Sequence, residues 1–167
     1  WGSEMCIRDR IAIENSVDGG VSTAQDALAT MPGLRIVGEY LVPVNFVLVA
    51  RPGVRLSDVQ LVAAHPVAYA QCLRWLGEHL PEHAHLPAAS NVASAVGIVD
   101  GVSDADAAIA PPGILEHYDL ELLADGIGDN PNAVTRFVLV SRTVAAPAPT
   151  GADTVSYTHL TLPTKRI

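Results

Sequence analysis

The feature that most constrains this chain is an alternation of short apolar runs with stretches of helical character, each bounded by Gly, Pro or polar clusters. "VQLVAA" (59–64), "AAIA" (107–110), "LELLADGI" (120–127) and "TRFVLVSR" (135–142) are too short and too β-rich for helices. Between them, "HPVAYAQCLRWLGEHL" (65–80) is predicted as one helix with Pro66 in its first turn. "NVASAVGIV" (91–99) is predicted as a helix capped by Ser90. Upstream, "IAI" before Glu14 ends a short strand, "ENSVDGG" is a Gly-bearing loop, and "VSTAQDALAT" is a helix stopped by Pro32 and Gly33. Two β-rich runs in "LRIVGEYLVPVNFVLVA" break at Pro43, and a further strand is expected in "HAHLPAA" and a helix from Pro111 to about His117. Strands alternating with helices predict an α/β architecture with mostly parallel sheets. Ligands of such sheets bind at strand ends and on the loops beyond them.

Composition narrows the function classes. A 49% hydrophobic and 17% charged chain of 167 residues is globular, with enough length for one domain or two small lobes. Its formal charge is −8 and its one lysine is Lys165, so neither nucleic acid nor a membrane surface is an expected partner. No apolar run reaches the ~18 residues of a membrane span, and no apolar signal region opens the chain, which points to the cytoplasm. An anionic small molecule would need a placed Arg or a helix N-terminus. Cys6 and Cys72 make no disulfide framework, and Cys72 is expected as a buried thiol.

Residues 1–10 and 154–167 differ in character from the Ala-, Val-, Gly- and Pro-rich middle and are expected to be non-native, with 144–153 a linker.

Three motifs carry a family likeness. They are Ile13 to Asp26 ("IENSVDGGVSTAQD"), Ala63 to Cys72 ("AAHPVAYAQC"), and Tyr118-x-Leu120-x2-Leu123-x5-Asp129-x5-Thr135-Arg136-Phe137. In this order they resemble prephenate dehydratases, over about residues 11 to 142. The resemblance implies a two-lobed α/β fold like the type II periplasmic binding proteins, with the active site between the lobes. Lobe 1 would comprise 11–43 and 117–143, and lobe 2 would comprise 44–116. The first lobe would be incomplete, because a Gly-Pro-x-Gly-Thr-Phe segment of the family is not found before Ile11. The family's phenylalanine-binding ACT domain is not found after Arg142 either. The implied reaction converts prephenate to phenylpyruvate with loss of water and carbon dioxide, on the way to phenylalanine, without metal or organic cofactor. The complete protein is expected to be a homo-oligomer.

Within that frame, Thr135 matches the catalytic threonine, whose hydroxyl can donate to a departing hydroxide. Asn15 and Gln71 match substrate-binding positions, and Ser16 is a candidate beside Asn15. Arg136 could meet a carboxylate with its fork, although neighbours on a strand face opposite ways; pairing with an acid such as Asp129 is the other option. Phe137 would return to the face of Thr135. Glu14 would repel a dianion and is expected to be structural. Ala64 stands where the family often has Ser, and His65 is expected either to substitute or simply to start a helix. His79, His83 and His85 lack the spacing of a metal site and are expected in a solvated loop. The competing functions are a non-catalytic two-lobed module that binds a small anion, and an arogenate dehydratase.

Overall fold

The structure is a computed structural model that describes residues 9–17, 19–145 and 148. The non-native segment expected at 1–10 and the tail at 154–167 lie outside these residues, except for Asp9 and Arg10; the expected linker is described only in part. The chain forms two compact units. One holds the described residues through Val42 and those from Thr135 on; the other is Pro43–Val134.

The first unit is built on a four-stranded sheet. Its strands are β1 (Asp9–Asn15), β2 (Gly19–Gly20), β3 (Arg35–Pro43) and β9 (Val134–Ser141), in the order β2-β1-β9-β3. β1 runs antiparallel to both β2 and β9. Gly19 opens β2 at φ +87°, a left-handed conformation that glycine adopts without strain. Helix α1 (Ser22–Thr30) comes next, and buries Ala24. Its last turn meets "MPG", where Pro and Gly end helices for the reasons read from the sequence.

The second unit is a five-stranded sheet in the order β6-β5-β7-β4-β8: β4 (Val47–Ala50), β5 (Leu61–Ala64), β6 (Ala84–Pro87), β7 (Ala107–Ala110) and β8 (Glu121–Ala124). Period-2 alternation sorts its side chains into two cores. Leu48, Ala50, Val62, Ala64 and Ile109 face a cluster with Ala68 of helix α2 (Pro66–Ala70), Leu76 of helix α3 (Leu73–His79) and Cys72 between the two helices. Val47, Val49, Ala63, Ala108 and Ala110 face a second cluster with Ala95 and Ile98 of helix α4 (Asn91–Val99). The many alanines of β5 and β7 let both helical layers approach closely. The result is a helix–sheet–helix sandwich.

Three expectations are corrected. The sheets are not mostly parallel: β5 is parallel to β6 and β7, but β4 is antiparallel to both β7 and β8. Residues 117–134 do not join the first unit, because β8 is laced to β4. The single helix expected over 65–80 is two, α2 and α3, separated at Gln71 and Cys72. Asp129 explains that break: its carboxylate accepts from the backbone N–H of Arg74 (3.0 Å) and of Trp75 (3.3 Å), while its own N–H donates to the Gln71 carbonyl (2.7 Å). A carboxylate from a distant loop thus satisfies the first donors of a new helix. Ser90 caps α4 as expected, its Oγ accepting from the Ala93 N–H at 3.0 Å.

Candidate active site

The site residues of the first unit meet at a β-bulge. Ala12 pairs with Phe137, but the next pair is Glu14 with Arg136, so Ile13 is inserted between them. The extra residue shifts the register of every later pair by one. With Ile13 paired in regular register Asn15 would stand opposite Val134; with Ile13 bulged out of the ladder Asn15 stands opposite Thr135. Residues directly opposite in an antiparallel pair share a face. Asn15 and Thr135 therefore share one face with Ala12 and Phe137, and Glu14 and Arg136 share the other.

The displaced backbone of Ile13 is not left without partners. Its carbonyl accepts from the N–H of Val21 at 2.9 Å and from Gln25 Nε2 at 3.3 Å. Gly20 makes room for that amide: a Cβ there would lie 2.5 Å from Gln25 Nε2.

On the first face, Asn15 Nδ2 donates to Thr135 Oγ1 at 3.1 Å. Asn15 Oδ1 accepts from the N–H of Val17 at 2.8 Å. The second bond decides the first. A backbone N–H can only donate, so the amide atom facing Val17 is the oxygen and the one facing Thr135 is the NH₂. The Thr135 oxygen is thereby an acceptor, and its own proton points elsewhere. Both residues are half-buried, Phe137 is half-buried beside them, and Ser16 is exposed in the turn after β1.

On the opposite face, Arg136 bridges two acids. Its Nε lies 3.2 Å from Glu14 Oε2, and its Nη1 contacts Glu39 Oε1 on β3. Glu14 is thus paired on the face away from Thr135, as its charge suggested. Asp129, the sequence-level candidate for pairing with Arg136, serves α3 instead.

Gln71 belongs to the second unit. It ends α2, is buried, and its carbonyl is held by Asp129. Ala64 ends β5, and its carbonyl accepts from Ala88 N–H (2.9 Å) and His85 Nε2 (3.1 Å). His65 caps α2, its Nδ1 accepting from the Val67 N–H at 3.3 Å. His83 and His85 are not in a solvated loop. Both attach to Tyr69, His85 stacked on its ring at 3.8 Å and His83 Nε2 2.9 Å from its hydroxyl. His79 stacks on Trp75. Cys72 is fully buried; burial and the nearby Asp129 carboxylate push its thiol up to about 12. The sequence did not expose the Ile13 bulge or the capping role of Asp129, although Asp129 itself stood in a recognised motif.

The pattern of the family described as prephenate dehydratase matches residues 6–145. The chain belongs to the prephenate dehydratase family. A curated member, from Mycolicibacterium vanbaalenii, is 46% identical over 146 residues, which are 87% of this chain and 46% of that protein. The crystal structure of the prephenate dehydratase of Arthrobacter aurescens, solved in complex with L-Phe, superposes with a TM-score of 0.80 at 51% identity. It covers 86% of this chain and 48% of that one. A third structure, of GqqA, described as a quorum-quenching acylase, matches at 30% identity and a TM-score of 0.71, over 85% of this chain and 50% of that one. The chain spans about half the length of the curated relatives it matches. The three sequence motifs that carried the resemblance include residues on the bulged β1, at the α2–α3 break and at the start of β9.

Proposed function

We propose that this chain carries the dehydratase chemistry of its family: prephenate loses water and carbon dioxide to give phenylpyruvate. The observation that supports this most directly is the hydrogen bond from Asn15 Nδ2 to Thr135 Oγ1 at 3.1 Å, with the amide held in that sense by Val17.

The atoms balance with one proton taken up from solvent, which passes through the Thr135 hydroxyl and restores it. The C–C bond to the ring carboxylate breaks and releases carbon dioxide. Its electron pair moves into the ring and makes it aromatic. The C–O bond to the ring hydroxyl breaks, and the departing hydroxide takes a proton to become water. The group required is a donor placed at that oxygen. A threonine hydroxyl whose oxygen already accepts a hydrogen bond is polarised toward donating its own proton. Such help is worth about 10²–10⁴-fold in rate. Aromatisation drives the rest, so a weakly acidic hydroxyl suffices.

In this scheme Thr135 is the proton donor and Asn15 orients it. Phe137, on the same face, lines a dry wall, and Ser16 is a substrate contact. The identity to the Arthrobacter dehydratase, 51% against 30% to GqqA, favours dehydration over acyl transfer.

The test is phenylpyruvate formation from prephenate by this chain and by Thr135→Val, which removes the hydroxyl at nearly constant shape. Turnover lost in the variant with the fold intact is expected. Equal turnover in both, or prephenate bound calorimetrically but never converted by the unaltered chain, would overturn it.

A further inference from the structure

We propose that Arg136 is a positioning residue, which holds β1 and β3 against β9 and thereby keeps Asn15 opposite Thr135; this rests on the dehydratase chemistry proposed above. The residue beside a proposed proton donor invites a role on the anionic substrate. The geometry points the other way. Adjacent strand residues project to opposite faces, and Arg136 pairs across the sheet with Glu14, not with Asn15.

The guanidinium stands on β9, and its two carboxylates stand on the strands to either side, Glu14 on β1 and Glu39 on β3. One planar cation therefore ties three strands at a single level. That level is the first pair beyond the Ile13 bulge, where the backbone ladder has just been interrupted. Each ion pair alone at such a half-exposed site would contribute little. A shared cation does more, because its removal takes one partner from two carboxylates at once, on a chain of net charge −8. Arg suits the place better than Lys, since its fork meets two acids in fixed directions.

The experiment uses the full chain with Arg136→Met, Arg136→Lys and the double variant Arg136→Met/Glu39→Gln. It combines steady-state kinetics on prephenate, per folded molecule, with backbone hydrogen exchange. Arg136→Met is expected to lower kcat about tenfold, the scale of losing one oriented hydrogen bond at the reacting group, while KM moves less than about threefold. Exchange should accelerate at Asn15 and Thr135 and stay unchanged in β4, β5 and β7. Arg136→Lys should fall between, and Glu39→Gln should return part of the lost kcat by removing one repelling charge. A KM that rises with kcat unchanged would overturn the proposal in favour of direct substrate contact. Exchange that accelerates uniformly would overturn it in favour of a purely structural role. If the unaltered chain does not convert prephenate, the dehydratase proposal fails by itself; unchanged exchange at Asn15 in Arg136→Met then still sinks the positioning role.

Discussion

Ala12 and Asn15 project from the same face of β1 although they are three positions apart, an odd spacing that a regular strand would split between its two faces. Ile13 absorbs the difference. The pairing of Asn15 with Thr135, and every expectation for the site, depends on Ile13 being left out of the ladder.

The hydroxyl of Thr135 is expected to matter through its proton. Thr135→Ser, which keeps the O–H, should retain turnover within about tenfold of the unaltered chain, whereas Thr135→Val should lose about 10²–10⁴-fold. Phenylpyruvate formation measures both. Turnover lost in Thr135→Ser but kept in Thr135→Val would place the importance of Thr135 in its methyl group and its packing.

Asn15→Asp reverses the direction of one hydrogen bond. A carboxylate has no N–H to give, so Thr135 would turn its proton toward residue 15 and away from a substrate. A kcat lower by about tenfold or more is expected, with the melting temperature little changed. Circular dichroism and kinetics on the same sample decide it; undiminished kcat contradicts the orienting role.

Asp129→Ala removes the acceptor for the Arg74 and Trp75 N–H groups. A loss of about 1–2 kcal/mol in unfolding free energy is expected, as for other helix caps. Asp129→Asn, which keeps an acceptor oxygen, should lose less. Urea titration of the three proteins distinguishes them, and equal stability of all three would show that the cap adds nothing.

Cys72 gives the fold an alkaline limit. Its thiol is raised from 9.0 to about 12 in the folded chain. Above pH 9 the unfolded chain has lost that proton and the folded chain still holds it, so unfolding releases protons. The stability contribution is therefore complete below about pH 9 and is lost progressively as pH rises toward 12. In a Cys6→Ser background, Cys72→Ala should show a flatter stability profile over that window, and the thiol of Cys72 should resist alkylation until the chain unfolds. Identical slopes for the two proteins would contradict the shift.

Much of the second unit was legible because its information is local. Apolar runs of four residues at β5 and β7, Pro66 at a helix start and Ser90 as a cap are patterns that a short window contains. What escaped was non-local. Strand direction depends on which runs become neighbours, so the antiparallel β4 could not be read from "VLVA". The α2–α3 break depends on Asp129, more than fifty positions away, although the helical pattern of 65–80 continues without interruption. In the site, the motifs pointed to Asn15 and Thr135, and strand alternation raised the option that Arg136 faces elsewhere. Its partners, Glu14 and Glu39, required the register of three strands.

The bulge also places part of the site's specification in chain length instead of side-chain identity. A library that randomises residues 10–13 at constant length samples new packing while the Asn15 amide stays counted onto Thr135. A one-residue insertion between Glu14 and Asn15 adds nothing chemically, yet it hands the place opposite Thr135 to the newcomer. For this strand the reading frame of the fold, like that of a gene, is damaged more by a miscount than by a misspelling.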